Sequence, residues 1–108
     1  MHEKNKLYTV KITETAWDML MVHVRFLSNV STTAANRLID SFIEMTGDLA
    51  VMPERNPWLE HEAIPFQKYR KILIEKRYLA LYVVVENFVY VTAVVDCRQD
   101  YFWLLSTQ

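Results

Sequence analysis

Six basic side chains fall between residues 68 and 98: Lys68, Arg70, Lys71, Lys76, Arg77 and, after a long apolar stretch, Arg98. An arginine planted in a strand is pre-organised to grip a carboxylate or phosphate through two parallel N–H bonds, and lysine adds a point charge. The chemistry on offer is therefore anion recognition, of a phosphodiester or of an acidic protein surface. The same residues also suit a structural purpose, since charges on the rim of a sheet keep its edges from pairing with other chains. Arg70 alternates onto the same side as Ile72 and Ile74, which roots it in a strand rather than on a free loop. Other chemistry is poorly supplied. His2, His23, His61 and Cys97 have no metal-ligand spacing, so neither a metal nor a cofactor is expected. Gly47 is the single glycine, and one glycine builds neither a phosphate loop nor a nucleophile elbow. Cys97 reads as an incidental thiol. Asp96 and Asp100 on either side of Arg98 read as an ion-pair cluster rather than an acid–base pair.

The 108 residues fit one domain, 1–108, and a hydrophobic content of 52% supplies ample material for one core. A net charge of −1 argues against general affinity for polyanions. The charge is uneven: residues 68–77 carry five bases and one acid, residues 40–62 six acids and one base. The acidic region reads as a solvated helix face and loop. A lone cysteine permits no internal disulfide and suits a reducing compartment. No apolar run reaches membrane-spanning length, and the N-terminus lacks the apolar segment of a signal peptide. A cytoplasmic protein without membrane association is expected.

The elements that must position the basic residues follow from periodicity. Residues 7–12 alternate as a first strand, with Tyr8, Val10 and Ile12 on one side. Thr13 is a good N-cap for a helix whose apolar stripe runs Ala16, Leu20, Val24 and Leu27, and which ends near Ser28-Asn29 with Asn29 suited to a left-handed terminus. Ser31 caps a second helix with Ala35, Leu38, Ile39, Phe42, Ile43, Met45 and Leu49 on one face. The short join makes the pair an antiparallel hairpin. Gly47 falls inside or at the end of the second helix, and Pro53 sets its latest end. Residues 51–67 hold Pro53, Pro57 and Pro65 in a long ordered loop, expected to be pinned by Trp58 and Phe66.

Runs 69–74, 78–85 and 88–95 then predict a three-stranded antiparallel meander. A tight turn at Glu86-Asn87, with Asn87 accepting positive φ, sets Val85 against Phe88, Val83 against Tyr90 and Leu81 against Thr92. The other side holds Val84 with Val89, Tyr82 with Val91 and Ala80 with Ala93. Both sides are apolar, so both need cover. The helix hairpin covers one; the long loop, the tail or a partner protein must cover the other. The tail from Cys97 onward brings Tyr101, Phe102, Trp103, Leu104 and Leu105 together, too apolar to be left in water without cause. The fold class is α+β: an N-terminal strand, a helix hairpin packed on the meander, and a short C-terminal tail.

This order of elements resembles the RelE/ParE superfamily of toxins from bacterial type II toxin–antitoxin modules. The residues carrying the resemblance are YTVKITETAWDML at 8–20, VMP at 51–53, KYRKILIEKRYLALYVV at 68–84 and VVDCRQD at 94–100, followed by Leu104-Leu105. The resemblance implies growth inhibition held in check by a cognate antitoxin that wraps the toxin. It also implies one of two mechanisms. ParE-like members poison DNA gyrase by binding. RelE-like members cut mRNA on the ribosome, in which case Arg70 or Arg98 would neutralise the phosphate and Tyr101 would take part in proton transfer. Under either mechanism Lys68, Arg70, Lys71, Lys76, Arg77 and Arg98 are the candidate contacts to target or phosphate. The chain has Leu79 where RNase members often carry a basic residue, no histidine in the tail, and a slightly acidic balance. These features favour the ParE-like binder; an endoribonuclease and an inactive toxin-fold interaction module are the alternatives.

Overall fold

A computed structural model describes residues 6–99 of the chain. Six main elements follow one another: β1 (Thr9–Ile12), α1 (Glu14–Ser28), α2 (Thr32–Gly47), β2 (Arg70–Ile74), β3 (Tyr78–Val85) and β4 (Phe88–Asp96). The chain is α+β, as expected. The tail expectation, including Tyr101, falls at residues 100–108 and lies outside the described residues.

Both helix starts are as the sequence predicts. Thr13 Oγ1 accepts from the Ala16 N–H at 3.1 Å, and Ser31 Oγ from the Ala34 N–H at 3.1 Å. Each hydroxyl satisfies a donor that has no partner within its helix. The junction differs from expectation. Asn29 is right-handed, with φ of −70°, and the chain reverses by directing the Val30 and Ser31 N–H groups onto the Leu27 carbonyl. Gly47 closes the regular part of α2 in ordinary helical geometry, and a 3₁₀ turn, Asp48–Ala50, follows.

The sheet has four strands in the order β1-β4-β3-β2. The first strand is thus not separate from the meander: it pairs parallel with β4, Thr9 opposite Phe88 and Ile12 opposite Val91. The β3–β4 register agrees with the sequence reading from Val85/Phe88 to Tyr82/Val91 and then departs from it. A β-bulge gives Thr92 no opposite number, so Leu81 pairs with Ala93 and Ala80 with Val94. The expected pairs Leu81–Thr92 and Ala80–Ala93 are thereby corrected. One extra residue flips everything beyond it to the other face of the sheet. The β3–β4 turn departs as well: Glu86, not Asn87, takes the positive φ, at 56°.

The two faces form two cores. Ala16, Leu20, Leu38 and Phe42 of the helices pack on Ile72, Ile74, Tyr78, Ala80, Tyr82, Val89, Val91 and Val94. On the other face Leu59 and Ile64 of the long loop, with Tyr69, cover Leu81, Ala93 and Val95. The loop therefore supplies cover that the apolar pattern demanded. Phe66 is not a pin: it is 87% exposed. Trp58 is, since it bridges to Arg70 and lies under its guanidinium.

The loop's other fastening is Tyr82. Its buried hydroxyl donates to the Pro53 carbonyl at 2.6 Å and accepts from Asn56 Nδ2 at 3.0 Å. Burial pushes the phenol up from its usual value, against the smaller opposing effects of the Asn56 hydrogen bond and nearby arginines. Tyr82→Phe strands two polar partners and is expected to cost about 1–3 kcal/mol in urea unfolding, with earlier proteolysis of residues 53–67.

Candidate functional site

The candidate cations do not converge. Arg70 and Arg98 belong to opposite ends of the sheet. Ile74 lies across from Tyr78, and Tyr78 from Asp96, whereas Arg70 lies across from Tyr82. Four residues of strand separate the two levels, about 13 Å. Arg70 is also committed to the loop. Its Nη1 donates to the Asn56 carbonyl at 2.7 Å, and its guanidinium stacks 3.8 Å from the centre of the Trp58 ring. Lys71 alternates to the opposite face, level with Leu81. Lys76 is exposed at the tip of the β2–β3 turn, where it and Glu75 both take positive φ. Lys68 lies over the Tyr69 ring.

Arg77 and Arg98 do come together, through Asp96. Beyond the bulge, Asp96 turns to the helix-covered face and is 3% exposed. Its Oδ2 accepts from Arg77 Nε at 3.0 Å and forms an ion pair with Arg77 Nη2 at 2.9 Å. Its Oδ1 accepts from the Arg98 backbone N–H at 2.9 Å and faces Arg98 Nε at 3.7 Å. Burial alone would raise this carboxyl. The hydrogen bonds from the Arg98 backbone and Arg77, with the two positive charges, outweigh burial and hold it below its ordinary value. The Gln99 N–H closes a turn on the Asp96 carbonyl. The result is a rigid corner from which Arg98, its side chain 66% exposed, projects into solvent.

His23, which offers no metal-ligand spacing in the sequence, completes the corner. β1 stops at Ile12, so the outer edge of β4 beyond Val91 has no strand partner. Helix α1 takes over: the Thr13 N–H donates to the Val91 carbonyl, and His23 Nε2 donates to the Val94 carbonyl at 2.9 Å. The His23 ring also tilts against Tyr78, with centroids 5.0 Å apart. His23 is therefore a structural residue. Burial pushes the Tyr78 phenol up from its usual value, so it is protonated near neutrality. A cavity of about 140 Å³ remains between α1 and the sheet end, walled by Val22, Phe26, Tyr78 and Asp96 among others. Val22 and Phe26, four apart on α1, carried a signal: they fall off the Ala16–Leu20–Val24–Leu27 stripe yet are apolar.

Cys97 is exposed, yet partial desolvation of its thiol together with the neighbouring Asp96 charge pushes its pKa up, which makes it a poor nucleophile. Among the described residues, no helix is long and apolar enough to cross a membrane.

No family model and no curated protein matches the sequence. A solved structure does: a chain of the chromosomal ParDE TA system from P. aeruginosa superposes with a TM-score of 0.67 at 14% identity, over 84% of this chain and 97% of that one. The likeness covers most of both chains, and this chain shares the fold of that one.

Proposed function

We propose that the chain is the toxin of a toxin–antitoxin pair, that it inhibits growth by binding a protein target such as DNA gyrase, and that a cognate antitoxin neutralises it. The observation that carries this reading is the fold, shared with a chain of a ParDE TA system over nearly that chain's whole length. The distribution of cations supports binding over strand cleavage. In-line attack on a phosphodiester needs several groups aimed at one phosphorus. Here Arg70 is spent on Trp58 and Asn56, Arg77 on Asp96, and Arg98 projects about 13 Å away along the sheet from Arg70. Arg98 is the cation we assign to the target.

The test is to add the purified chain to a gyrase supercoiling reaction and, separately, to a translation reaction with 5′-end mapping of the mRNA. Loss of supercoiling with intact mRNA is the expected result. Cuts between codons of translated mRNA would make the chain a ribosome-dependent endoribonuclease, with Arg98 and Tyr101 as its first candidates. Neither effect, together with normal growth on induction, would leave an interaction module.

A further inference from the structure

Around Arg98 the surface has a definite chemical character. Val22 and Phe26 are 54% and 66% exposed, one helical turn apart on α1. They wall the cavity that reaches in to Tyr78 and Asp96. The polar groups beside it are largely spent: His23 Nε2 on the Val94 carbonyl, Arg77 on Asp96, and both Asp96 oxygens on Arg77 and Arg98. The negative charge at this corner is buried with Asp96, while the positive charge of Arg98 is in solvent, as is Arg25 in the last turn of α1. The exposed acid on the same side of α1, Asp18, lies one turn back from Val22 toward the helix start.

We infer that this corner is a docking point for a polypeptide segment that presents one bulky apolar side chain beside a carboxylate. The apolar side chain enters between Val22 and Phe26, and the carboxylate meets Arg98. An exposed aromatic and an arginine around a recess form the pattern in which interface energy concentrates. Charge complementarity selects an acidic partner, because among the described residues the acid at this corner, Asp96, is buried and satisfied while the Arg98 side chain is 66% exposed. The volume selects a side chain rather than a whole ligand: about 140 Å³ is below the roughly 300 Å³ at which small-molecule sites begin. A nucleotide base would need unspent donors and acceptors to be read, and His23, Arg77 and Asp96 are bonded within the chain. The inference rests on the proposed function only in giving Arg98 a contact role.

The experiment is an amide-shift NMR titration of the full chain with three probes: a hexapeptide holding one phenylalanine between glutamates, the same peptide with lysines for glutamates, and a single-stranded RNA hexamer. The acidic peptide is expected to shift the amides of Val22, Phe26, Arg98 and Gln99 saturably. Phe26→Ala should weaken it about tenfold and Arg98→Ala about fivefold, with the thermal midpoint of each variant lowered by no more than about 5 °C. No shift at these amides, or a stronger response to the lysine peptide or the RNA, overturns the inference. Binding seen only in a Phe102→Ser/Trp103→Ser chain would give the corner to the chain's own C-terminal residues and would also overturn it. Failure of the two ideas is separable. If Arg98→Ala remains toxic while Phe26→Ala loses the peptide, the target role of Arg98 fails and the docking corner stands. If Arg98→Ala is harmless to cells and Phe26→Ala binds normally, the corner fails.

Discussion

Arg98→Ala is expected to abolish growth inhibition and to leave the fold intact. The Arg98 guanidinium makes one long, solvent-exposed ion pair, 3.7 Å from Asp96, and such pairs contribute about 0–1 kcal/mol. The bond that closes the turn comes from the Arg98 backbone N–H, which alanine retains. Tm should therefore fall by no more than about 5 °C. Cell counts after induction, beside a melting curve of the purified variant, check both halves. A folded Arg98→Ala that still halts growth would remove Arg98 from the site, and an unfolded one would make it a structural residue.

Arg77→Met is expected to do the reverse, through stability. It leaves Asp96 buried and without the two guanidinium donors that Arg77 supplies. Breaking a buried pair from one side costs about 3–5 kcal/mol, because the remaining charge has lost its compensation. For a domain of this size even the lower figure lowers Tm by roughly 12 °C or more. The pH dependence has a definite sign. In the native chain Asp96 is held below its ordinary value, so its contribution is complete above the normal carboxylate range and fades as pH falls through its depressed pKa. In Arg77→Met burial dominates and Asp96 takes up a proton at higher pH. The gap in stability between the two proteins should be widest near neutrality and should narrow in acid. Urea midpoints from pH 7 down to pH 3 measure this; a gap that stays constant would mean that the Arg77–Asp96 pair is not its source.

The contrast between the two arginines shows how far the sequence is legible. Local physics writes itself plainly into the chain. Thr13 and Ser31 announce the helix starts because their hydroxyls satisfy orphan amides, and alternation marks β3 and β4 as strands with two apolar sides. What depends on packing across distance does not show. The bulge at Thr92 carries no glycine or proline to mark it, yet it decides which way Asp96 points and therefore that Arg77 is structural. The parallel pairing of β1 with β4 is likewise invisible in a four-residue strand, since nothing local chooses its neighbour. Phe66 shows the opposite error: an aromatic in a proline-bearing loop suggests an anchor, but Leu59 and Ile64 fill the sheet face first and leave it outside. Alternation puts Arg70 on the same side as Ile72 and Ile74, which is the side the helices cover. That it would be met there by Trp58 was not legible, because the loop's path is set by Tyr82 and Asn56, far apart in the sequence.

The most direct measurement of the central claim is cell survival on inducing this chain alone, and again with the product of the small gene adjacent to its own. The proposed function predicts that the chain alone arrests growth, and that the neighbour's product restores it and co-purifies with the chain. Unimpeded growth when the folded chain accumulates alone would contradict it.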